Sequence, residues 1–241
     1  MKYLTTTLII ISFFIVIKAI LRTTSPPKNA TTTTILFDIT NPNQQNKTVL
    51  SEQEIQKITT QIETDKWSKH QFKIRYIGDV LYTESLIKSL TSAKPTTSNI
   101  YLRNTLIKNY IKDIQQDIQE AQNLPFDKNH SLVFETITHE LQLLQQSPAA
   151  RKTLIITSDL MENSAWLSLY EAENYHLLLH ETERIFELYK ERFTPMDLSE
   201  IEVYFTYQAN DYNEGKTYEK LVYIYKKLLE ENGAKVHIGS L

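Results

Sequence analysis

The sequence predicts an α/β protein built on a mostly parallel central sheet with helices on both faces. Two apolar runs carry most of this. Thr34-Ile35-Leu36-Phe37 leads straight into Asp38, and Lys152-Thr153-Leu154-Ile155-Ile156-Thr157 leads into Ser158-Asp159. A short, continuous Ile- and Leu-rich run reads as a strand buried on both faces of a parallel sheet. The second observation is that strand-like segments alternate with segments of helical period, the pattern of βαβ units with right-handed crossovers. The third is length: 241 residues, less an N-terminal segment, suffice for one α/β domain of ordinary size. In such sheets the ligand crevice lies beyond the carboxyl ends of the strands. Asp38 and Asp159 are therefore expected at one edge of one sheet.

Leu4 to Leu21 is apolar apart from three threonines, one serine and Lys18. That span is just long enough to cross a bilayer as a helix. Ile17-Lys18-Ala19 makes a poor small-residue cleavage site, so residues 1–22 are expected to be an uncleaved single-span anchor, with a cleaved signal, suited by the ten-residue core Leu8–Ile17, as the alternative. The flanking charges, Lys2 against Lys18, Arg22 and Lys28, lean toward a cytoplasmic body, whereas a short apolar segment at an extreme N-terminus usually exports the chain behind it, and the body is expected on the extracytoplasmic side. Thr23 to Thr33, with its Pro-Pro pair and threonine run, reads as a linker. The domain is expected over residues 34–241.

After the first strand, Asn41-Pro42-Asn43 forms a turn. Ser51-Glu52-Gln53-Glu54 is a capping box, opening a helix to about Lys66 with Ile55, Ile58 and Ile62 inward. Phe72, Ile74 and Tyr76 alternate with polar residues, which predicts a strand over 71–77. A short helix is expected near Glu84 to Leu90. Ile100 to Gln122 is a long amphipathic helix with Leu102, Leu106, Ile107, Ile111, Ile114 and Ile118 on its apolar face, broken by Pro125-Phe126-Asp127. Ser131 caps a helix to Gln146 that buries Val133, Ile137, Leu141 and Leu144. After the Lys152–Asp159 strand, Ala165 to Phe193 reads as mostly helical and Pro195 ends it. Ile201 to Tyr207 is a strand, Asn210 to Gly215 a polar loop, Lys216 to Asn232 a helix with Gly233 past its end, and Lys235 to Ile238 a closing strand.

Composition excludes several chemistries. The net charge of −3, with no locally basic stretch, gives no electrostatic basis for nucleic-acid binding. There is no cysteine, which removes disulfides, thiolate catalysis and cysteine-ligated zinc. Four glycines are too few and too scattered for phosphate-cradling loops. His176 and His180 stand one helical turn apart, but Leu177 occupies the position of a metalloprotease glutamate and no third ligand is evident. His139-Glu140 lacks the second histidine. No Ser-His-Asp arrangement is legible.

The strand-end residues resemble a known family. Asp38-Ile39-Thr40-Asn41-Pro42 is similar to the Asp-x-Ser-x-Ser motif of von Willebrand factor A-like domains. His130-Ser131-Leu132 falls where those domains place a metal-binding threonine. Ser158-Asp159-Leu160 resembles their Ser-Asp-Gly motif. The resemblance covers about residues 34–240 and is closest to a group of little-characterised bacterial proteins with an N-terminal hydrophobic segment and an altered metal motif. It implies a Rossmann-like fold with a metal-ion-dependent adhesion site at the carboxyl edge of the sheet. Asp38, Thr40, Ser131 and Asp159 match the ligand positions for Mg²⁺ or Mn²⁺, oxygen donors suited to a hard cation. Pro42 stands where the family has its second serine and offers no side-chain oxygen. The residue-level alternative is structural: Asp38 and Asp159 cap neighbouring helix N-termini.

The implied function is a membrane-anchored protein-binding or scaffolding module of the bacterial envelope, without nucleic-acid binding. Asn41, Leu160, Asn163 and Trp166 are the expected partner contacts beside the metal residues. Trp166, Leu167, Leu169 and Tyr170 either pack the next helix or form an exposed lip for that partner. Two other classes compete. A metal-dependent phosphoesterase of haloacid dehalogenase-like type also begins with a strand ending in aspartate, but needs an acid where Thr40 stands. A metal-free structural component of an envelope or DNA-transfer complex needs none of this chemistry.

Overall fold

A computed structural model of the chain describes residues 30–40, 50–78, 85–124 and 130–239. The expected anchor over 1–22, most of the linker, the Asn41-Pro42-Asn43 turn and the Pro125 break lie outside the described residues. No helix among the described residues is long and apolar enough to cross a membrane. In chain order the elements are β1 (Thr31–Asp38), α1 (Glu52–Thr64), β2 (His70–Ile77), β3 (Leu86–Leu90), α2 (Ile100–Gln122), α3 (Val133–Gln146), β4 (Arg151–Thr157), α4 (Ala172–His180), α5 (Thr182–Arg192), β5 (Ile201–Phe205), α6 (Tyr212–Glu231) and β6 (Lys235–Ile238).

The strands form one six-stranded sheet in the order β3-β2-β1-β4-β5-β6. All neighbours pair in parallel except β2 and β3. The chain works outward from β1 to β2 and β3, returns to β4 beside β1, and then works outward the other way. The β1/β4 boundary is therefore a topological switch point, where loops diverge and leave a crevice. Phe37 pairs with Thr157, which brings Asp38 level with Ser158 at that boundary.

Alternating side chains of the strands feed two cores. Leu36, Leu154, Ile156, Val203 and Phe205 pack with α3, α4, α5 and α6 on one face. Ile35, Phe37, Phe72, Ile74 and Ile155 pack with α1 and α2 on the other. Burial on both sides explains why β1 and β4 read as unbroken apolar runs. On the first face Lys73 and Arg75 of β2 both reach the buried carboxylate of Glu140 on α3, at 2.8 and 2.6 Å.

Several expectations are corrected. β1 begins at Thr31, inside the expected linker, because Thr31–Thr33 pair with both β2 and β4. Threonine is β-branched and suits a strand once partners are present. Leu86–Leu90 is an edge strand, not a helix, since it pairs antiparallel with β2. The face of α2 is rotated: Leu102 and Leu106 are exposed, whereas Arg103 is buried. Its guanidinium donates to the carbonyls of Lys66, Thr91 and Ser68, and that turns the helix. The 165–193 stretch is two helices meeting at Glu181, preceded by non-helical chain. α6 starts at Tyr212, inside the expected polar loop, because Asp211 caps it by accepting from the Asn213 and Glu214 amides.

Candidate functional site

The site is assembled from the ends of β1 and β4 and the loop entering α3. Asp38, the last residue of β1, is buried and uses both carboxylate oxygens. Oδ1 accepts from the Thr40 amide at 2.9 Å and lies 2.6 Å from the Thr40 hydroxyl. Oδ2 accepts from the Ser158 hydroxyl at 2.6 Å. Thr40 Oγ1 also lies 2.9 Å from Ser131 Oγ. A hydroxyl carries one proton, so Thr40 donates to one of these two oxygens at a time.

Ser131 does not cap α3. The residue at the cap position is Leu132, with no side-chain hydrogen bond, and the Ser131 hydroxyl turns toward Thr40 instead. Its backbone is clamped by two hydrogen bonds to Asn163, at 3.1 and 3.0 Å. Asn163 in turn accepts from the Ser168 hydroxyl at 2.9 Å, so the β4–α4 loop folds back to hold Ser131 in place. Glu162 reinforces this clamp, accepting from the Phe134 amide in the first turn of α3.

Ser158 and Asp159 lie just past the end of β4. The Ser158 hydroxyl accepts from the Leu160 amide, and Asp159 Oδ1 accepts from the Met161 amide. These two local bonds wind the chain tightly, and Leu160 takes a left-handed backbone conformation at φ 65°. For a leucine that conformation costs about 1–2 kcal/mol. Burial of its side chain outweighs this, since Leu160 is fully enclosed by the α3–α6 core. Burial pushes the Asp159 carboxyl up to about 8, with the nearby charge of Asp38 the next contribution. The Glu162 carboxyl is also pushed up to about 8, again mainly by burial.

The structure thus brings Asp38, Thr40, Ser131 and Asp159 to one edge. The expected partner contacts divide. Asn41 lies outside the described residues. Leu160 faces the core, and Trp166 packs edge-on against Phe134 and Tyr189 with Arg192 over its ring. The lip reading therefore fails for these two side chains, because packing against the neighbouring helices claims them. Asn163 serves as a clamp on Ser131. Tyr170, at 58% exposure, is the aromatic residue that remains at the rim. Sequence reasoning missed Ser158 as a hydrogen-bond donor to Asp38, although its position directly before Asp159 was the signal to be read.

Among the described residues, no three His, Cys, Asp or Glu side chains converge on one point. The donors here are mostly hydroxyls, which such a group does not include. An octahedral Mg²⁺ with metal–oxygen bonds of about 2.0–2.1 Å has ligand oxygens about 2.8–3.0 Å apart. The Asp38–Thr40 and Thr40–Ser131 oxygen separations of 2.6 and 2.9 Å are close to that edge length. Both separations are also ordinary hydrogen-bond lengths, so the residues present fit a hard cation in donor type, oxygen atoms only. No protein-family model matches the chain, and no curated protein matches it in sequence.

Proposed function

We propose that this chain is a von Willebrand factor A-like protein-binding or scaffolding module, engaging its partner at the carboxyl edge of the sheet around Asp38, Thr40, Ser131 and Asp159. The observation that carries this reading is the contiguous run of oxygens from Asp38 through Thr40 to Ser131 at the β1/β4 switch point. Asp38, Thr40 and Ser131 would hold an Mg²⁺ or Mn²⁺ ion directly, with Asp159 beside them. A bound divalent cation supplies an open position for a partner's carboxylate. The left-handed backbone at Leu160 adds support, because the Ser-Asp-Gly motif it resembles has glycine, the residue that adopts this conformation freely, at that place. The apolar run Leu4–Leu21 supports tethering to a membrane, with the body on the extracytoplasmic side.

Calorimetric titration of the full chain, purified in mild detergent, with Mg²⁺ and Mn²⁺ tests this. Binding that is lost in Asp38→Ala and weakened in Thr40→Val supports the adhesion-site reading. Absence of binding at millimolar cation favours a metal-free scaffold. Turnover of a generic phosphoester, lost in the same variants, would instead support the phosphoesterase class.

A further inference from the structure

Beside the strand-end site a cavity of about 390 Å³ opens between the β4–α4 loop, α4 and the start of α6. That volume lies in the range of small-ligand sites, about 300–1,000 Å³. Its walls combine two kinds of group. Tyr170, Tyr175 and Tyr218 present phenol rings, and Asp159, Asp211 and Glu214 present carboxyl groups. No lysine, arginine or histidine is among the lining residues.

The acidic groups are held in place by local structure. Asp211 accepts two backbone amides at the start of α6, and Glu214 accepts from the Tyr207 hydroxyl and the Asn210 amide. The Tyr175 hydroxyl is paired with Thr217 at 2.9 Å. The Tyr218 hydroxyl oxygen is buried beside the Tyr207 backbone. Tyr170 stands at the mouth with its ring exposed.

Electron-rich ring faces together with carboxylates and no competing cation are the chemistry of cation recognition. We propose that this cavity binds an organic cation, an alkylammonium or guanidinium group, with the tyrosine rings against its carbon body and Asp211 and Glu214 balancing its charge. A lysine or arginine side chain of a partner protein, or a free amine, presents this group. The site shares only Asp159 with the cation ligands proposed above and does not depend on a bound metal.

The test is titration of the full chain in mild detergent with n-butylammonium and n-propylguanidinium, read by calorimetry and by the tyrosine resonances. Pentanol and pentanoate serve as neutral and anionic controls. The expected result is that both cations bind about tenfold or more tighter than either control. Asp211→Asn with Glu214→Gln should weaken them by about tenfold, and Tyr170→Ala by about threefold. Asparagine keeps the helix cap and glutamine keeps the side-chain shape, so these variants should fold. Thr40→Val should leave amine binding unchanged, and the Asp211/Glu214 variant should leave any Mg²⁺ binding unchanged, which separates this site from the other. Comparison of spermidine with a blocked Gly-Lys-Gly peptide assigns the cation to a free amine or to a protein side chain. Pentanol binding as tightly as butylammonium, amine affinity unaffected by the Asp211/Glu214 variant, or no cation binding at all would overturn the proposal.

Discussion

The Ser158 hydroxyl donates to Asp38 Oδ2 at 2.6 Å, across the boundary between β1 and β4. This single bond ties together two chain segments 120 residues apart in sequence, at the point where the sheet reverses its winding. It also fixes the Asp38 carboxylate so that its other oxygen faces Thr40, whose hydroxyl lies against that of Ser131.

Ser158→Ala leaves a buried carboxylate oxygen short of a donor. The expected loss of stability is about 1–3 kcal/mol. It would be measured as a lower urea midpoint with unchanged slope and unchanged far-ultraviolet circular dichroism. A neutral result would mean that water reaches Oδ2 freely.

Asp159→Asn separates folding from cation binding. Asp159 titrates near 8, well above a free aspartate, because burial and the charge of Asp38 oppose its ionisation. Above that pH the wild-type chain carries a buried like-charge pair. The variant should gain more than about 1 kcal/mol there, the worth of one unit of pKa shift. The same variant should bind Mg²⁺ more weakly. Thermal melting with and without cation reads both effects, and their opposite signs are the diagnostic result.

Glu162 makes a second contribution of the same sign. Its carboxyl rises from 4.5 in the unfolded reference to about 8 in the fold. Between those values the native chain holds a proton that the unfolded chain has lost. Its stabilising contribution is thus fully present below about pH 4.5 and is lost as pH rises through about 8, with a slope of at most about 1.4 kcal/mol per unit for one group. Glu162→Gln keeps an acceptor for the Phe134 amide and should flatten this part of the stability profile. Denaturant midpoints from about pH 5 to about pH 9 would show whether the slope drops.

Leu160 sets backbone strain against burial. Leu160→Ala keeps the left-handed strain and empties part of the core, so it should cost about 2–5 kcal/mol. Leu160→Gly loses slightly more buried surface but recovers about 1–2 kcal/mol of backbone strain. Glycine should therefore be tolerated at least as well as alanine here, the reverse of the order on a helix. Equal urea midpoints would already be informative; a markedly less stable glycine variant would show that strain at φ 65° is negligible.

Glu140 holds two cations from β2 in a buried setting. Glu140→Ala removes the carboxylate that Lys73 and the 6%-exposed Arg75 share, and should cost about 3–5 kcal/mol. Restoring stability by a further Arg75→Leu change in a double-mutant cycle would confirm that the lost charge pairing, not lost packing, is the cause.

Local pattern was enough to give the α/β class, the two central strands, the capping box at Ser51 and the buried face of α3. Each of these is written in hydrophobic periodicity or in the few residues around a helix start, where burial and orphan amides act within one or two turns of chain. It also put Asp38 and Asp159 at the same sheet edge, because parallel strands end on the same side. Long-range contacts set the rest. Leu86–Leu90 becomes a strand only because β2 offers it an unpaired edge. α2 turns Leu102 outward only because Arg103 finds three carbonyls on neighbouring segments. Leu160 and Trp166 face inward because α3 and α5 stand ready to bury them. Ser131 abandons its cap for Thr40 because Asn163, on a loop beyond β4, clamps its backbone. These outcomes depend on partners far along the chain, and no local pattern encodes which distant contact a side chain will meet.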